Sequence, residues 1–592
     1  MRYSLLCMKR LAVIAGTAAL SLVFVARFEP ARTLLLETAR PAIAAVIVLL
    51  AALGCGRSAL RIVRSDDSSL ADALLVGFAV LGIISAALAL VSTAFVTPFA
   101  VVVAMGEAWF LGRAPLPAFR PLSLHPLLAV AISLAFVAAI VPVNSPDELV
   151  YKLAVPHAWQ LFGRMIELPL SSHSYLAMAL QCADLAALAL GGGIAAKLAH
   201  FGVYLAVIAV VRRIGGDWCA IAIAFTPALM IISGWAWSEW GVLGLLLLAY
   251  DRWSRDDINA AACALGCAIS CKYTALPFLL AMLFVKRRDM KLRPIAIIAA
   301  FGAFFYVRNL IWTGSPIAPL LLPNAPQVAG YRGSAWLGLL HGDDIFDFRI
   351  VDESLGIILP LAFLAGLFAW RKHRDLVLIG ALQMPILLTI GPGSRNIING
   401  VAPVAIAGVM LIEAMMPRRL VAFVAAIPLF VQLVLVTFTL ESYDCVRYLA
   451  GREDAAQYIA RTRNFAKPYD WIARNTPPDA RILLLGENRT FYLRRRFIAA
   501  GNLDSPRIAA WLDNGGLDRE RFSHIVIHPP WYRVGNAPLG TIEKEYMLQV
   551  PPRAHEKLMR FLQARARLVY REEGYLIYEC VTPSPAPATS AP

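Results

Sequence analysis

The sequence predicts an α-helical protein that crosses a membrane many times and ends in a small α/β domain outside the membrane. Of its 592 residues, 59% are hydrophobic and only 16% are charged. A soluble protein cannot hide so much apolar surface, so the composition predicts a membrane protein. Charged residues, Pro and Asn become common only after Leu440, which predicts that the last part of the chain folds in water.

Apolar segments long enough to cross a bilayer, about 17 to 25 residues each, recur from Leu11 to Leu440. Hydropathy gives about fifteen of them. The first follows a short basic N-terminus, and its end, residues 25–28, lacks the small residues of a signal-peptide cleavage site. We therefore expect an uncleaved signal anchor whose N-terminus lies in the cytoplasm.

Basic residues predict the orientation of the later spans. We take the N-terminus as cytoplasmic and residues 175–190 as a helix that is re-entrant or does not span. Most basic clusters then fall on the cytoplasmic side, as the positive-inside rule requires. They are residues 57–64, 212–213, 252–255, 286–293, 371–374 and 418–419. The net charge of +15 thus reflects topology, and without a single basic stripe we expect no nucleic-acid partner.

Composition also divides the chain into regions. Residues 1–112 hold about four spans with few polar side chains, which is typical of an accessory helical bundle. Residues 113–440 carry the polar loops. Residues 441–581 contain short strand-like apolar runs between helical segments, which predicts the α/β domain. Residues 582–592 are rich in Pro, Ala and Ser and are predicted to be disordered.

The candidate chemistry begins with an acidic pair in the first of two long outer loops, 144–174 and 312–352. Asp147 and Glu148 follow an apolar run and precede an amphipathic stretch that we expect at the lipid headgroups. Carboxylates at this depth are costly, which favours a functional role. A carboxylate here can take a proton from an acceptor or bind a divalent cation. An ordinary helix start, with Ser145 as its N-cap, explains the pattern equally well.

Further polar side chains lie at the outer ends of later spans. Glu239 begins one such span among tryptophans and adds a third carboxylate, although an interfacial anchor is an equal alternative. Cations on the outer side run against the positive-inside trend and can bind phosphate oxygens. Snorkelling to the interface is the alternative for each one alone, but their convergence favours a phosphate site. These cations and their polar neighbours are Lys272, Tyr273, Arg308, Asn309 and Arg395.

Cysteines give little sign of a metal centre. Cys263, Cys267 and Cys271 recur on one helix face with no His or acid at ligand spacing, which predicts a packed face of small residues. Cys445 and Cys580 both fall in the predicted exterior domain, where the oxidising environment would allow a disulfide.

Three motifs resemble bacterial integral membrane glycosyltransferases of the GT-C type, the dolichyl-phosphate-mannose-protein mannosyltransferase-like class. They are Pro-Asp-Glu-Leu-Val-Tyr at 146–151, Cys-Lys-Tyr-Thr-Ala-Leu-Pro at 271–277 and Arg-Asn-Leu-Ile-Trp-Thr-Gly-Ser-Pro at 308–316. Residues 469–487 also resemble the C-terminal domain of such proteins. The resemblance extends over residues 127–580 and says nothing about the identity of the sugar.

The resemblance implies a GT-C-like bundle with its catalytic core in residues 113–440 and a sugar donor linked to polyprenyl phosphate. It implies that Asp147 is the catalytic base, with Glu148 beside it. Some members use a second acid and a divalent metal ion, for which Asp147 and Glu239 are the candidate ligands. The donor phosphate would contact cations that map to Lys272, Arg308 and Arg395. Around Arg395 the sequence departs from its relatives, which often have an aromatic residue and a Leu-Pro run after the arginine.

The expected function is transfer of a hexosyl or pentosyl group to an envelope lipid, glycan or protein. The reaction would take place at the outer face of a bacterial inner membrane, with membrane lipids around the enzyme and the C-terminal domain in the periplasm. A transporter or flippase of a lipid-linked or anionic substrate is the alternative. Transporters often place ionisable groups near the midplane of repeated halves, whereas these candidates cluster at outer ends and no internal repeat is seen.

Overall fold

The computed structural model describes residues 29–581 with gaps at 66–67, 114–123, 169, 290, 323–354, 391–393, 502–503 and 536–546. The predicted signal anchor, most of the outer loop 312–352 and the predicted disordered tail 582–592 lie outside the described residues. Within the described part, a helical region is followed by a mixed α/β domain, as the composition predicts.

Helices make up the first part of the chain. Its first eight are α1 (Glu29–Ile62), α2 (Leu70–Val91), α3 (Val96–Arg113), α4 (Pro126–Ile140), α5 (Ala154–Phe162), α6 (Ala179–Ala224), α7 (Pro227–Ile232) and α8 (Ser238–Trp253). The next eight are α9 (Ile258–Cys271), α10 (Leu276–Val285), α11 (Leu292–Gly302), α12 (Phe304–Thr313), α13 (Ile358–Phe368), α14 (Arg374–Ile390), α15 (Ser394–Met415) and α16 (Arg418–Ser442).

Five of the described helices are long and apolar enough to cross a bilayer, and a sixth span results if α11 and α12, which meet at 58°, are counted together. Five shorter apolar helices of 10–17 residues accompany them. The chain is therefore a polytopic helical membrane protein. The long helices among the described residues are fewer than the about fifteen spans from hydropathy, because several apolar segments form shorter helices. Lys272, whose backbone is extended (φ −162°, ψ 141°), separates two of these short helices, α9 and α10.

Glycines interrupt the long helix α6. Gly192 (φ 73°) and Gly216 (φ 84°) have backbone angles that a helix cannot contain, and they divide α6 into three parts. The first part begins at Ala179 and stops at Gly192, close to the end of the separate helix predicted over 175–190. A glycine with a positive φ thus produces the predicted helix end.

Ion pairs join the helices at the end of the bundle opposite Glu239. Glu239 and Arg252 lie near the two ends of α8, and 13 residues of helix separate them by about 20 Å. Arg252 pairs with Asp72, which also lies 2.8 Å from the Arg213 guanidinium. Asp72 is fully buried, so this pairing offsets the cost of taking the carboxylate out of water.

The C-terminal domain is a sheet flanked by helices. Its strands are β1 (Arg481–Leu485), β2 (Arg496–Ala500), β3 (His524–Ile527), β4 (Tyr532–Val534), β5 (Leu548–Val550), β6 (Ala566–Glu572) and β7 (Tyr575–Cys580). The main sheet has the order β2-β1-β3-β7-β6, with β1 parallel to β2 and β3, and β7 antiparallel to β3 and β6. The helices are α17 (Val446–Leu449), α18 (Ala455–Thr462), α19 (Ala466–Asn475), α20 (Ser505–Asp513), α21 (Gly516–Arg519) and α22 (Pro552–Arg565).

Alternation along β1 shows how this domain is attached. Leu483 and Leu485 pack in a core with Leu558 of α22, whereas Ile482 and Leu484 belong to a core that is continuous with the membrane helices. Successive side chains of a strand point to opposite faces, so one face of the sheet packs on α20 and α22 and the other packs in a core shared with α18, α19 and the membrane helices. The domain therefore packs directly on the bundle.

The described cysteines are all free thiols. The disulfide considered between Cys445 and Cys580 is not formed, because Cys445 belongs to the core shared with the bundle while Cys580 packs on the other face of the sheet. Cys263, Cys267 and Cys271 are buried, as expected of a packed small-residue face.

Glycines also allow α1 and α2 to approach closely. A Cβ at Gly77 would lie 1.8 Å from the Ala52 carbonyl oxygen, and one at Gly56 would lie 1.8 Å from that of Ala73. Contacts between backbones at this distance require small residues on both helices. This approach fixes α2, which also packs on α6, against α1.

A Gly77→Ala substitution should therefore destabilise the bundle. Overpacking at a backbone contact typically costs about 1–3 kcal/mol, which should lower the thermal unfolding midpoint of the purified protein by several degrees. Gly106→Ala is the matched control, since a Cβ at Gly106 meets nothing within 4 Å. Equal midpoints for the two variants would contradict the close approach.

Candidate functional site

The acidic pair lies in a wide turn and not in an ordinary α-helix. Residues Glu148–Lys152 form a π-helical turn directly after Asp147. Because this turn sets Tyr151 beside Asp147, the Tyr151 hydroxyl donates a hydrogen bond of 2.9 Å to the Asp147 carboxylate. Ser145 does not cap the turn as predicted, since its hydroxyl donates to the Glu148 carboxylate at 2.7 Å. π-Turns of this kind are frequent at functional sites.

Glu239 is the centre of a group of charges. Its carboxylate lies 2.8 Å from the Lys272 ammonium and 3.3 Å from that of Lys152. Lys152 also donates to the Ser238 hydroxyl at 2.9 Å, and Lys272 donates to Asn396 at 3.2 Å. Glu239 therefore holds two cations that come from different parts of the chain.

Arg395 joins Asp147 to the same region. Its guanidinium lies 3.5 Å from the Asp147 carboxylate and 4.6 Å above the Trp237 ring. Lys152 lies 5.4 Å from the centre of the same ring. We call Asp147, Lys152, Glu239, Lys272 and Arg395 the charge cluster.

The charge cluster carries three cations and two carboxylates, which leaves one positive charge in excess. Its members come from the turn after α4, the start of α8, the break between α9 and α10, and the start of α15. The side chains of Asp147, Lys272 and Arg395 are 22 to 23% exposed, whereas those of Lys152 and Glu239 are 3% exposed. The first three can therefore meet a substrate, and the other two lie beneath them.

Glu239 lies in the first turn of α8, at the start of a helix as the sequence predicts. Its side chain is buried between two lysines, and the catalytic role predicted for it remains a prediction. A buried carboxylate in this setting compensates buried cations and orients them. Its position supports a structural role in holding Lys152 and Lys272.

Glu148 is completely buried and makes only internal contacts. One carboxylate oxygen accepts from the Ala236 backbone N–H at 2.7 Å and the other accepts from Ser145. The Trp237 indole N–H donates to the same Ser145 hydroxyl at 3.3 Å. Glu148 therefore ties the acidic motif to the segment that precedes Glu239 and does not face the site as Asp147 does.

Tyr273, Arg308 and Asn309 form a second polar group. Asn309 donates to the Tyr175 carbonyl at 2.6 Å and to the Tyr273 hydroxyl at 2.7 Å, while Tyr273 donates to the Ala318 carbonyl at 2.7 Å. Arg308 donates to the Leu176 carbonyl at 3.1 Å and to Asn309. Within the described residues, no ion pair joins this group to the charge cluster. The three residues hold a loop, and the phosphate contacts predicted for them remain predictions.

A short turn, Ser172–Tyr175, is among the segments through which the C-terminal domain contacts the region of the charge cluster. Asp504 of this domain accepts from the Ser172 backbone N–H at 3.1 Å, and Arg507 donates to the Tyr175 hydroxyl at 2.9 Å.

His173, in the middle of this turn, stacks on the Tyr151 ring with 4.3 Å between ring centres. Burial lowers the pKa of His173 to about 4, so its ring is neutral at pH 7. A continuous path thus runs from Asp504 through His173 and Tyr151 to Asp147.

Sequence reasoning missed Lys152 and the cover over the helix that follows it. The apolar side chains Leu153 and Trp159 of the predicted amphipathic stretch are fully buried. The His157 ring nitrogen lies 3.2 Å from the Leu493 carbonyl oxygen, so the C-terminal domain covers the polar side of α5. A lysine within an otherwise apolar stretch was the available signal.

The divalent ion that the resemblance implies for some members has two candidate ligands, Asp147 and Glu239. Among the described residues, no group of three or more His, Cys, Asp or Glu side chains could hold a metal ion. Asp147 and Glu239 each already pair with cations of the charge cluster. This donor set does not fit a divalent ion, and no step of the proposed mechanism uses one.

A Glu148→Gln substitution tests the difference between the two neighbouring acids. The amide cannot accept at both positions, and the loss of a hydrogen bond to a buried charged group typically costs about 1.5–3 kcal/mol. Asp147→Asn removes a partly exposed charge and should cost less than about 1 kcal/mol. Chemical denaturation of the purified variants measures both values. Equal stabilities would argue against the internal role of Glu148.

Comparison with known proteins gives several solved chains that this chain resembles, two of them from structures of the same protein. Both are of ArnT from Cupriavidus metallidurans, one bound to undecaprenyl phosphate and the other in the apo state. They are 14% and 13% identical to the chain, each with a TM-score of 0.43. The alignments cover 76% and 80% of this chain and 97% and 98% of ArnT. Searches of family models and of curated proteins give no match.

Proposed function

We propose that this protein transfers a sugar from a polyprenyl-phosphate-linked donor to an envelope acceptor at the outer face of a bacterial inner membrane. The charge cluster is the observation that carries the proposal. It combines a partly exposed carboxylate with an excess of positive charge at the ends of membrane helices. An acceptor hydroxyl needs the carboxylate as a base, and a lipid phosphate needs the cations.

The donor phosphate would bind Lys272 and Arg395. Both side chains are partly exposed, and the buried pair of Glu239 and Lys152 supports them from below. Arg395 lies 3.5 Å from Asp147, which is a loose contact for an ion pair. A phosphate that binds the guanidinium would weaken this contact and leave Asp147 available to the acceptor.

Asp147 would act as the general base. The Tyr151 hydroxyl orients its carboxylate, and stacking on His173 fixes the Tyr151 ring. Asp147 takes the proton of the acceptor hydroxyl while the acceptor oxygen attacks the anomeric carbon of the sugar. The bond between that carbon and the phosphate oxygen breaks, and the polyprenyl phosphate leaves with the bonding electrons. Lys272 and Arg395 stabilise its charge, and attack opposite the leaving group inverts the anomeric carbon.

The positions of the charges within the helices favour an enzyme over a transporter or flippase. Glu239 is the second residue of α8, Lys272 directly follows α9, and Arg395 is the second residue of α15. Substrate sites of transporters commonly lie near the bilayer midplane. Charges at helix ends instead suit a reaction at the membrane surface.

The positive-inside rule supports a cytoplasmic N-terminus and a periplasmic C-terminal domain. Arg252 lies in the last turn of α8, about 20 Å from Glu239, and Arg255 follows this helix. If these arginines lie on the cytoplasmic side, the charge cluster and the C-terminal domain that contacts it lie on the outer side. Lipid-linked donors suit this side because they remain anchored in the membrane.

Asp147→Asn should abolish most of the transferase activity. Loss of a general base typically lowers the rate by about 10²- to 10⁴-fold, while binding of the donor should persist because the cations remain. The assay is transfer of labelled sugar from a polyprenyl-phosphate donor at equal membrane abundance. Asp470→Asn, an exposed acid of the C-terminal domain, is the control. Activity of Asp147→Asn within a few-fold of the parent would refute the base.

Lys272→Met should weaken donor binding. Removal of a charge-assisted contact typically costs about 1.5–3 kcal/mol, or roughly a 10- to 100-fold rise in KM for the donor. Lys152 still pairs with Glu239 in this variant, so the bundle should remain folded. Arg371→Met, at an exposed position on a predicted cytoplasmic loop, is the control. An unchanged KM for the donor would contradict the phosphate site.

A further inference from the structure

A pocket rich in arginine lies directly after the last helix of the bundle. It has a volume of about 360 Å³ and is separate from the charge cluster. We call it the arginine pocket, and its lining residues are Tyr443, Asp444, Arg447, Arg461, Thr462 and Arg463. The transfer mechanism uses none of these side chains.

The three arginines of the pocket differ in their surroundings. Arg461 is held by Glu453 at 2.6 Å and by Asp444, so its charge is already compensated. Arg463 donates from one terminal nitrogen to the Asn144 carbonyl at 2.6 Å, and its buried Nε has no hydrogen-bond partner within the described part of the chain. Arg447 is exposed. With three arginines against Asp444 and Glu453, the pocket has one excess positive charge.

The position of α16 indicates what the pocket meets. Phe423, Ile427 and Phe430 are 76%, 73% and 67% exposed and follow one another at helical spacing. In a membrane protein, such a stripe faces the lipid chains. The 25 residues of α16 extend about 37 Å, which exceeds the about 30 Å of the hydrocarbon core. The residues after Ser442 therefore lie at the level of the lipid headgroups.

We propose that the arginine pocket binds the phosphate group of an anionic membrane lipid. Arg447 would meet the phosphate from the exposed side, and Arg463 would contribute a second guanidinium from the pocket wall. Arg461, fixed by its two acids, forms a rigid wall. Guanidinium groups bind phosphate oxygens with charge-assisted hydrogen bonds, and this chemistry selects anionic over zwitterionic lipids.

The bound lipid would touch the structure that supports the acidic motif. Arg463 holds the carbonyl of Asn144, which lies three residues before Asp147. Tyr458 links the same Asn144 to the Tyr443 carbonyl at 2.7 Å. The site does not depend on the proposed transfer reaction, since binding can be measured without a sugar donor.

Native mass spectrometry of the full-length protein in an uncharged detergent tests the site. Short-chain phosphatidylglycerol is titrated against the parent, Arg447→Ala and Arg452→Ala. Arg447→Ala should weaken binding about tenfold, as the loss of one charge-assisted contact implies. Arg452→Ala is the matched control, because Arg452 is exposed nearby but does not line the pocket. Phosphatidylcholine should bind the parent weakly.

Three results would overturn the proposal. Phosphatidylglycerol could bind Arg447→Ala as tightly as it binds the parent, or Arg452→Ala could lose as much affinity, which would indicate a general effect of charge. Inorganic phosphate at millimolar concentration could displace the lipid completely, which would indicate a site for a soluble anion. An unchanged thermal unfolding midpoint of Arg447→Ala shows that the variant remains folded.

Discussion

The buried pairing of Glu239 with Lys152 and Lys272 is the interaction on which the candidate site depends. Removing an ionised group from water costs several kcal/mol unless an opposite charge compensates it. Glu239 supplies the opposite charge for two lysines at once, and these lysines come from separate segments of the chain. The same pairing that permits buried charges in a membrane bundle therefore also brings those segments together.

This constraint separates residues that support the site from residues that can meet a substrate. Glu148 and Glu239 are buried and satisfied by internal partners, whereas Asp147 and Arg395 remain partly exposed. Two acids that are adjacent in sequence thus have different roles. The C-terminal domain also supports the site. Its contact with Ser172 positions the neighbouring His173, and the stacking of His173 on Tyr151 orients Asp147.

Hydropathy predicts depth in the membrane, and this explains what the sequence could and could not reveal. Asp147, Lys272 and Arg395 each follow or begin an apolar segment, so their shared depth was predictable and the structure brings them together. Arg308 has a similar predicted depth but contacts a loop, because depth does not fix lateral position. Lys152 was missed because an amphipathic pattern does not show that an acid of a later helix, Glu239, lies against its polar face.

The central claim is that the charge cluster holds a lipid phosphate next to a carboxylate base. A cryo-electron microscopy structure of the protein with a bound polyprenyl phosphate tests this claim most directly. We expect the phosphate density to contact Lys272 and Arg395, with the Asp147 carboxylate facing the side from which an acceptor would attack. Phosphate density bound elsewhere, with the contact between Arg395 and Asp147 intact, would contradict the account.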